Sequence, residues 1–152
     1  MENKVILKDI VYDIIDEAQL YGIIEDGRLI LGFDIEAQTE NENIDHELRY
    51  IRFYNEYGFD TYVSEYKELK GKKYIWDAAD AEDMDDEEMA GTLYVLDHED
   101  VAYACLEVLD VGDDTIKIKF SGCANVYWSD DYWEDVPFET VFIASLPEII
   151  CE

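Results

Sequence analysis

Apolar and polar positions alternate most regularly in the last third of the chain. Ile116, Ile118 and Phe120 alternate with Lys117 and Lys119, the period-2 signature of a half-buried strand. An acidic aromatic segment, YWSDDYWED at residues 127–135, comes next, and Pro137 then predicts a turn before a second apolar run with Val141 and Ile143. Upstream, LYGIIEDGRLILGFDI (Leu20 to Ile35) sets Asp26-Gly27 between two β-prone runs. This dipeptide accepts the positive φ angles of a type I′ turn and predicts a hairpin. Its strands are apolar on both faces around Ile23, Ile24, Leu29, Ile30 and Leu31, which implies a central sheet position or a second layer packed over it.

The remaining pattern adds strands and one helix. Val5 to Ile15 fits a strand or a short helix, and both stay open. The polar run Gln38 to Glu47 reads as a loop, and Leu48 to Tyr54 as an imperfectly alternating strand. From Phe59 to Leu69, Phe59, Tyr62, Val63, Tyr66 and Leu69 recur at helical spacing. They predict a short amphipathic helix capped by Asp60 and closed by the cations Lys70, Lys72 and Lys73 around Gly71. Gly91 to Leu96 and Ala102 to Val111 read as strands, the second paired with Thr115 to Phe120 across the turn VGDD. No repeat or linker divides the chain, so residues 1–152 are expected to form a single globular domain. The expected fold is α+β and β-rich, with antiparallel sheet forming a sandwich or a partly open barrel and one or two short helices.

Charge changes this picture more than any motif. The chain of 152 residues carries 39 Asp and Glu against 11 Lys and Arg, a net charge of −28, yet 49% of its residues are hydrophobic and 14% aromatic. That much apolar material excludes the composition of a disordered chain, and 152 residues suffice to bury roughly 70% of the unfolded surface. The charge argues against binding nucleic acid or an anionic membrane, both of which need Lys and Arg to displace counterions. It favours cationic partners such as basic proteins, Ca²⁺ or a polyamine, and it also serves solubility. Eight of the twelve residues from 77 to 88 are acidic (Asp77, Asp80, Glu82, Asp83, Asp85, Asp86, Glu87 and Glu88). Such density predicts a solvated acidic loop that steers a cationic partner toward the protein.

Candidate chemistry is sparse. The carboxylates are too numerous to nominate a catalytic pair, although a carboxylate-based hydrolase would need only two. Asp83, Asp85 and Glu87 alternate like the start of a Ca²⁺-binding loop, but Glu88 stands where the sharp turn requires Gly. His46 and His98 lack Cys or His neighbours at ligand spacing and read as surface residues, and no phosphate loop or nucleophile elbow occurs. No catalytic residue, metal site or cofactor is therefore expected. Cys105, Cys123 and Cys151 imply no disulfide framework, and Cys105 and Cys123, in apolar context, read as small buried hydrophobes. No stretch approaches the length of a membrane span, which makes the cytoplasm the default location.

Protein binding has the best support in the sequence. Tyr-Trp-x-Asp recurs at an interval of five, at Tyr127 and Tyr132, and an odd interval in an extended chain sends Trp128 and Trp133 to opposite faces. Trp133, among the densest carboxylates, is the one expected outside. The predicted contact set is Trp128, Asp130, Asp131, Tyr132, Trp133, Glu134 and Asp135, aromatic anchors with carboxylates that select an Arg- or Lys-rich partner.

A small, acidic, β-rich chain whose last third carries GCANVYWSDDYWEDVPFE resembles the immunity proteins of bacterial polymorphic and contact-dependent toxin systems. The resemblance implies a non-enzymatic protein that neutralises a cognate, often basic, toxin or nuclease domain. Dense carboxylates also admit a mimic of DNA, whose charges recur about every 1.7 Å.

Overall fold

The computed structural model describes residues 2–77, 91–95, 97–101, 103–128 and 131–151, with side chains for all of these except 56, 57, 77, 91–95, 97–100, 128, 131 and 149–151. Its order is β1 (Lys4–Leu7), β2 (Ile10–Ile14), β3 (Gln19–Glu25), β4 (Arg28–Gln38), β5 (Tyr50–Asp60), β6 (Lys73–Asp77), β7 (Gly91–Val95), β8 (Asp97–Val101), β9 (Tyr103–Val111), β10 (Thr115–Trp128), β11 (Asp131–Ser145) and β12 (Ile149–Cys151). Two 3-10 turns, His46–Leu48 and Tyr66–Leu69, are the helical content among the described residues, so the expected α component is not formed among them.

All twelve strands belong to one sheet, ordered β6-β9-β10-β11-β1-β2-β4-β5-β7-β8, with β3 joined to β4 and β12 added parallel to β3. Otherwise its pairs are antiparallel. The sheet curls into a half-barrel: β8 comes round to lie beside β10, and β3 beside β11. Of the two architectures expected, the partly open barrel is the one adopted.

Alternation explains the curl, because each strand gives one set of side chains to the concave face. Ile116, Ile118, Phe120, Ala124 and Val126 of β10 are buried, as are Val136, Phe138, Thr140, Phe142 and Ala144 of β11. Phe120 sits at the centre, its ring 5.1 Å from Phe33, 5.9 Å from Phe53 and 5.1 Å from Phe138. Burying four aromatic rings this way ties β4, β5, β10 and β11 together, and replacing Phe120 by Ala should cost about 3–5 kcal/mol in urea unfolding.

Several local readings survive and others do not. The β3–β4 hairpin turns at Asp26 and Gly27, both at positive φ, as the Asp-Gly signal requires. The β9–β10 pairing also forms, with Leu106 opposite Phe120. Val5 to Ile15 resolves into the β1–β2 hairpin, turned at Lys8 with φ 60°. Leu48 lies in the 3-10 turn before β5 rather than in the strand.

The predicted helix over Phe59 to Leu69 is absent. Phe59 and Asp60 end β5, opposite Leu31 and Ile30, and the backbone N–H of Thr61 then donates to the Leu29 carbonyl at 3.0 Å. Phe59, Val63 and Leu69 are each buried, but from the end of a strand, an irregular stretch and a 3-10 turn in succession. Tyr62, which a helical face would bury, is 73% exposed. Asp60 accepts the Tyr62 N–H in a local turn instead of capping a helix.

The Pro137 turn is also corrected, since Pro137 lies inside β11 opposite Cys123. The ladder to β1 ends one residue earlier, at Phe138 opposite Leu7, so the missing N–H of proline deprives no strand of a partner. The reversal occurs instead between Trp128 and Asp131.

Candidate interaction surface at the β10–β11 tip

The acidic aromatic segment is the end of the two longest strands. Tyr127 pairs with Tyr132 and Trp128 with Asp131, so the segment forms a hairpin tip projecting beyond the Phe120 core. Between tip and core the register shifts: Ala124 faces Val136 while Val126 faces Trp133, so Asn125 stands against both Glu134 and Asp135. This is a β-bulge. Asp135 takes φ 50° and its N–H donates to the Asn125 side-chain oxygen at 2.9 Å, which secures the extra residue.

The bulge decides which rings face out. Carrying the alternation of Val136 and Phe138 back along β11 without interruption would turn Tyr132 inward and Trp133 outward. One added residue inverts that order. Trp133 is half-buried against the core opposite buried Val126, and the Lys8 ammonium lies 4.3 Å from its ring centre. The outward-facing rings are Tyr127 and Tyr132, 37% and 38% exposed. They are stacked at 4.1 Å with 19° between their planes.

One sequence expectation changes as a result. Trp133 is a packing residue at the edge of the core, directly across from Val126, rather than the exposed anchor. Trp128 is placed by its backbone pairing with Asp131, and its side chain lies outside the described residues. Of the rest of the predicted set, Glu134 and Asp135 are exposed at the bulge, Asp131 is placed by its backbone pairing, and Asp130 lies outside the described residues. Tyr127, which lies outside that set, contributes half of the exposed pair.

The electrostatics of the tip are one-sided. Among the described residues no Lys or Arg forms an ion pair with Glu134 or Asp135, whereas the acids elsewhere on the sheet are often matched. Lys119 meets Glu139 at 3.1 Å, Lys117 meets Glu2 at 2.6 Å and Arg52 grips Asp34 through two bonds of 2.8 and 2.7 Å. The Tyr132 phenol is pushed up to about 12, first by its hydrogen bond with Tyr127 and then by partial desolvation and the nearby charges of Glu134 and Asp135. Tyr132 therefore stays neutral at physiological pH, presenting an aromatic face within a carboxylate field.

Other candidates are placed as follows. Asp77 ends β6, and the remaining acidic-tract residues Asp80, Glu82, Asp83, Asp85, Asp86, Glu87 and Glu88 lie outside the described residues. Cys105 and Cys123 are free and half-buried on the convex face, Cys105 opposite Ser121, rather than inside the core. His46 is exposed. Among the described residues no three His, Cys, Asp or Glu side chains gather as metal ligands, and no helix is long and apolar enough to cross a membrane.

Neither a family model, nor a curated protein, nor a solved structure matches this chain. The tip must be read from its own geometry. Stacked phenols offer a flat apolar face to an alkyl chain or a guanidinium, and the adjoining carboxylates supply the charge that a cation on that face would meet.

Proposed function

We propose that this protein is a strongly acidic, non-enzymatic binding protein that neutralises a cationic protein partner through the β10–β11 tip, as an immunity protein of a bacterial toxin system would. The observation that carries this reading is the exposed, stacked Tyr127–Tyr132 pair beside the carboxylates of Glu134 and Asp135, which no Lys or Arg pairs among the described residues. Tyr is over-represented among interface hot spots because it brings a large rigid contact area with few torsions to freeze. A bulge held by a side-chain bond to an αL residue keeps both rings outward before any partner arrives, which lowers the ordering cost of association.

The net charge of −28 supports the same reading from long range, because it accelerates encounter with a basic surface and disfavours anionic competitors. Two free thiols on the convex face suit a reducing compartment, and we place the protein in the cytoplasm on that basis.

The experiment is affinity capture on the immobilised protein at low and at physiological salt, with wild type beside Tyr127→Ser/Tyr132→Ser. Each captured protein is then purified and its binding measured by calorimetry. One basic protein bound at a stoichiometry of one and lost on the double variant is the expected outcome. Capture that the double variant leaves intact would overturn the assignment of the tip. Displacement of the partner by duplex DNA would reveal that the partner's DNA-binding cleft is the surface engaged.

A further inference from the structure

The half-barrel has an open seam along β6. β6 pairs with β9 on one edge only, and the described residues place no strand on its other edge. The facing wall is the end of β5 and the chain after it. There β5 is laddered to β4 through Asp60, while its pairing with β7 is confined to Arg52–Tyr54. A cleft of about 790 Å³ runs between the two walls.

The inner side of this cleft is closed by side chains rather than by a ladder. Phe59 meets Tyr74 at 5.1 Å and Trp76 at 5.2 Å between ring centres, and the Tyr74 hydroxyl donates to the Thr61 carbonyl at 2.7 Å. Its rim is apolar and outward: Ile75 is 64% exposed and Tyr62 73%. Tyr62 is held at φ 61°, a conformation costly for a bulky side chain, and Asp60 accepts its N–H at 2.8 Å. An edge strand reading Lys-Tyr-Ile-Trp-Asp has no proline and no bulge to keep another strand away.

The cleft lining carries both signs: Lys72 and Lys73 come from the β6 wall, and Glu25 and Asp60 also line it. Among the described residues Lys72 has no ion pair, Lys73 pairs with Glu107 at 3.9 Å, and Asp60 pairs with Arg28 at 3.0 Å. In a chain of net charge −28, the β6 wall sets cations beside a strand edge that no described strand covers.

We propose that this seam is a second binding site, which takes an extended, carboxylate-bearing peptide segment as an added strand along the free edge of β6. Backbone hydrogen bonds to β6 would supply affinity, Ile75 and Tyr62 would flank alternate side chains, and Lys72 with Lys73 would select acidic ones. The proposal is independent of the tip: it uses other residues and a partner of opposite charge.

The test uses the full-length ¹⁵N-labelled protein and two capped peptides, acetyl-EVTVEV-amide and acetyl-KVTVKV-amide, followed by NMR. The acidic peptide should shift amides of residues 58–63 and 73–77 with a submillimolar Kd, and the basic peptide should bind at least tenfold more weakly. Lys72→Glu/Lys73→Glu should weaken the acidic peptide about tenfold, and Tyr127→Ser/Tyr132→Ser should leave it unchanged. N-methylation at alternate peptide residues should abolish binding, because it blocks strand addition while keeping every side chain. Equal binding of the N-methylated peptide, equal affinity in the double Lys variant, or no shifts along β6 at millimolar peptide would each overturn the proposal.

Discussion

The β10–β11 tip and the β6 seam are both aromatic, both sit where the ladder runs out, and they differ in how their rings are held. At the tip, a bulge turns Tyr127 and Tyr132 outward while Trp133 is kept against the core, so the exposed rings rest on a rigid base. At the seam, Phe59, Tyr74 and Trp76 turn inward and fill a gap that no strand closes among the described residues. The tip presents aromatic surface amid carboxylates, and the seam presents a backbone edge that is unpaired among the described residues and flanked by Lys72 and Lys73. The lesson is that in a chain this acidic, sign alone does not mark a surface. What distinguishes the two is whether the sheet has spent its hydrogen bonds there.

Breaking the tip should have the largest effect. Tyr127→Ser/Tyr132→Ser is expected to weaken partner binding by about a hundredfold or more, in line with the loss of two hot-spot aromatics, measured by calorimetry. Its urea midpoint should remain near that of wild type, since both rings are exposed. A large loss of stability would make the pair a structural element and erase the contrast with Trp133.

Backbone geometry offers a sharper comparison. Asp135→Val should cost about 1–2 kcal/mol in urea unfolding, because a β-branched residue resists the αL conformation that the bulge requires. At the seam, Tyr62→Gly should instead raise stability, by about 0.5 kcal/mol, since relief at φ 61° outweighs the entropy of glycine in the unfolded chain.

Alkaline titration separates the two regions by cause. Tyr66 and Tyr74 are each pushed up to about 12, chiefly by burial, whereas the exposed Tyr132 is pushed up to about 12 chiefly by its bond with Tyr127. Folded values above the unfolded value of about 10 favour the neutral form, so this stability is complete below pH 10 and is lost as pH rises from about 10 through 12. Tyr127→Phe should return Tyr132 toward 10 in absorbance at 295 nm and leave Tyr66 and Tyr74 in place. The smallest effect expected is that of Lys8→Ala, a loss of under about 1 kcal/mol in urea unfolding from removing the ammonium over Trp133.

Much of the sheet was legible because its signals are local. Asp26-Gly27 announced a hairpin, and Ile116, Ile118 and Phe120 announced the face that builds the core. The failures arose where long-range pairing overrode local pattern. Helical spacing from Phe59 to Leu69 is coincidental, because Phe59 is committed to the ladder with β4. β8, reading Asp-His-Glu-Asp-Val, carries no alternation at all and owes its strand to pairing with β7.

The site was legible as a segment and misread in detail for the same reason. Composition located residues 127–135, but the facing of Tyr132 and Trp133 depends on one bulge residue, and nothing in a period-2 reading signals that Asp135 will take φ 50°. Asn125 and Asp135, both tolerant of tight turns, are the trace that a bulge leaves in sequence. The seam leaves no trace beyond the Lys-Tyr-Ile-Trp-Asp strand, since its openness is a property of which strands are neighbours.

The most direct measurement is calorimetry of the purified captured partner against three proteins: wild type, Tyr127→Ser/Tyr132→Ser and Lys72→Glu/Lys73→Glu. One-to-one binding to wild type, a loss of about a hundredfold or more in the Tyr variant and wild-type affinity in the Lys variant are expected. Undiminished binding to the Tyr variant would contradict the assignment of the tip.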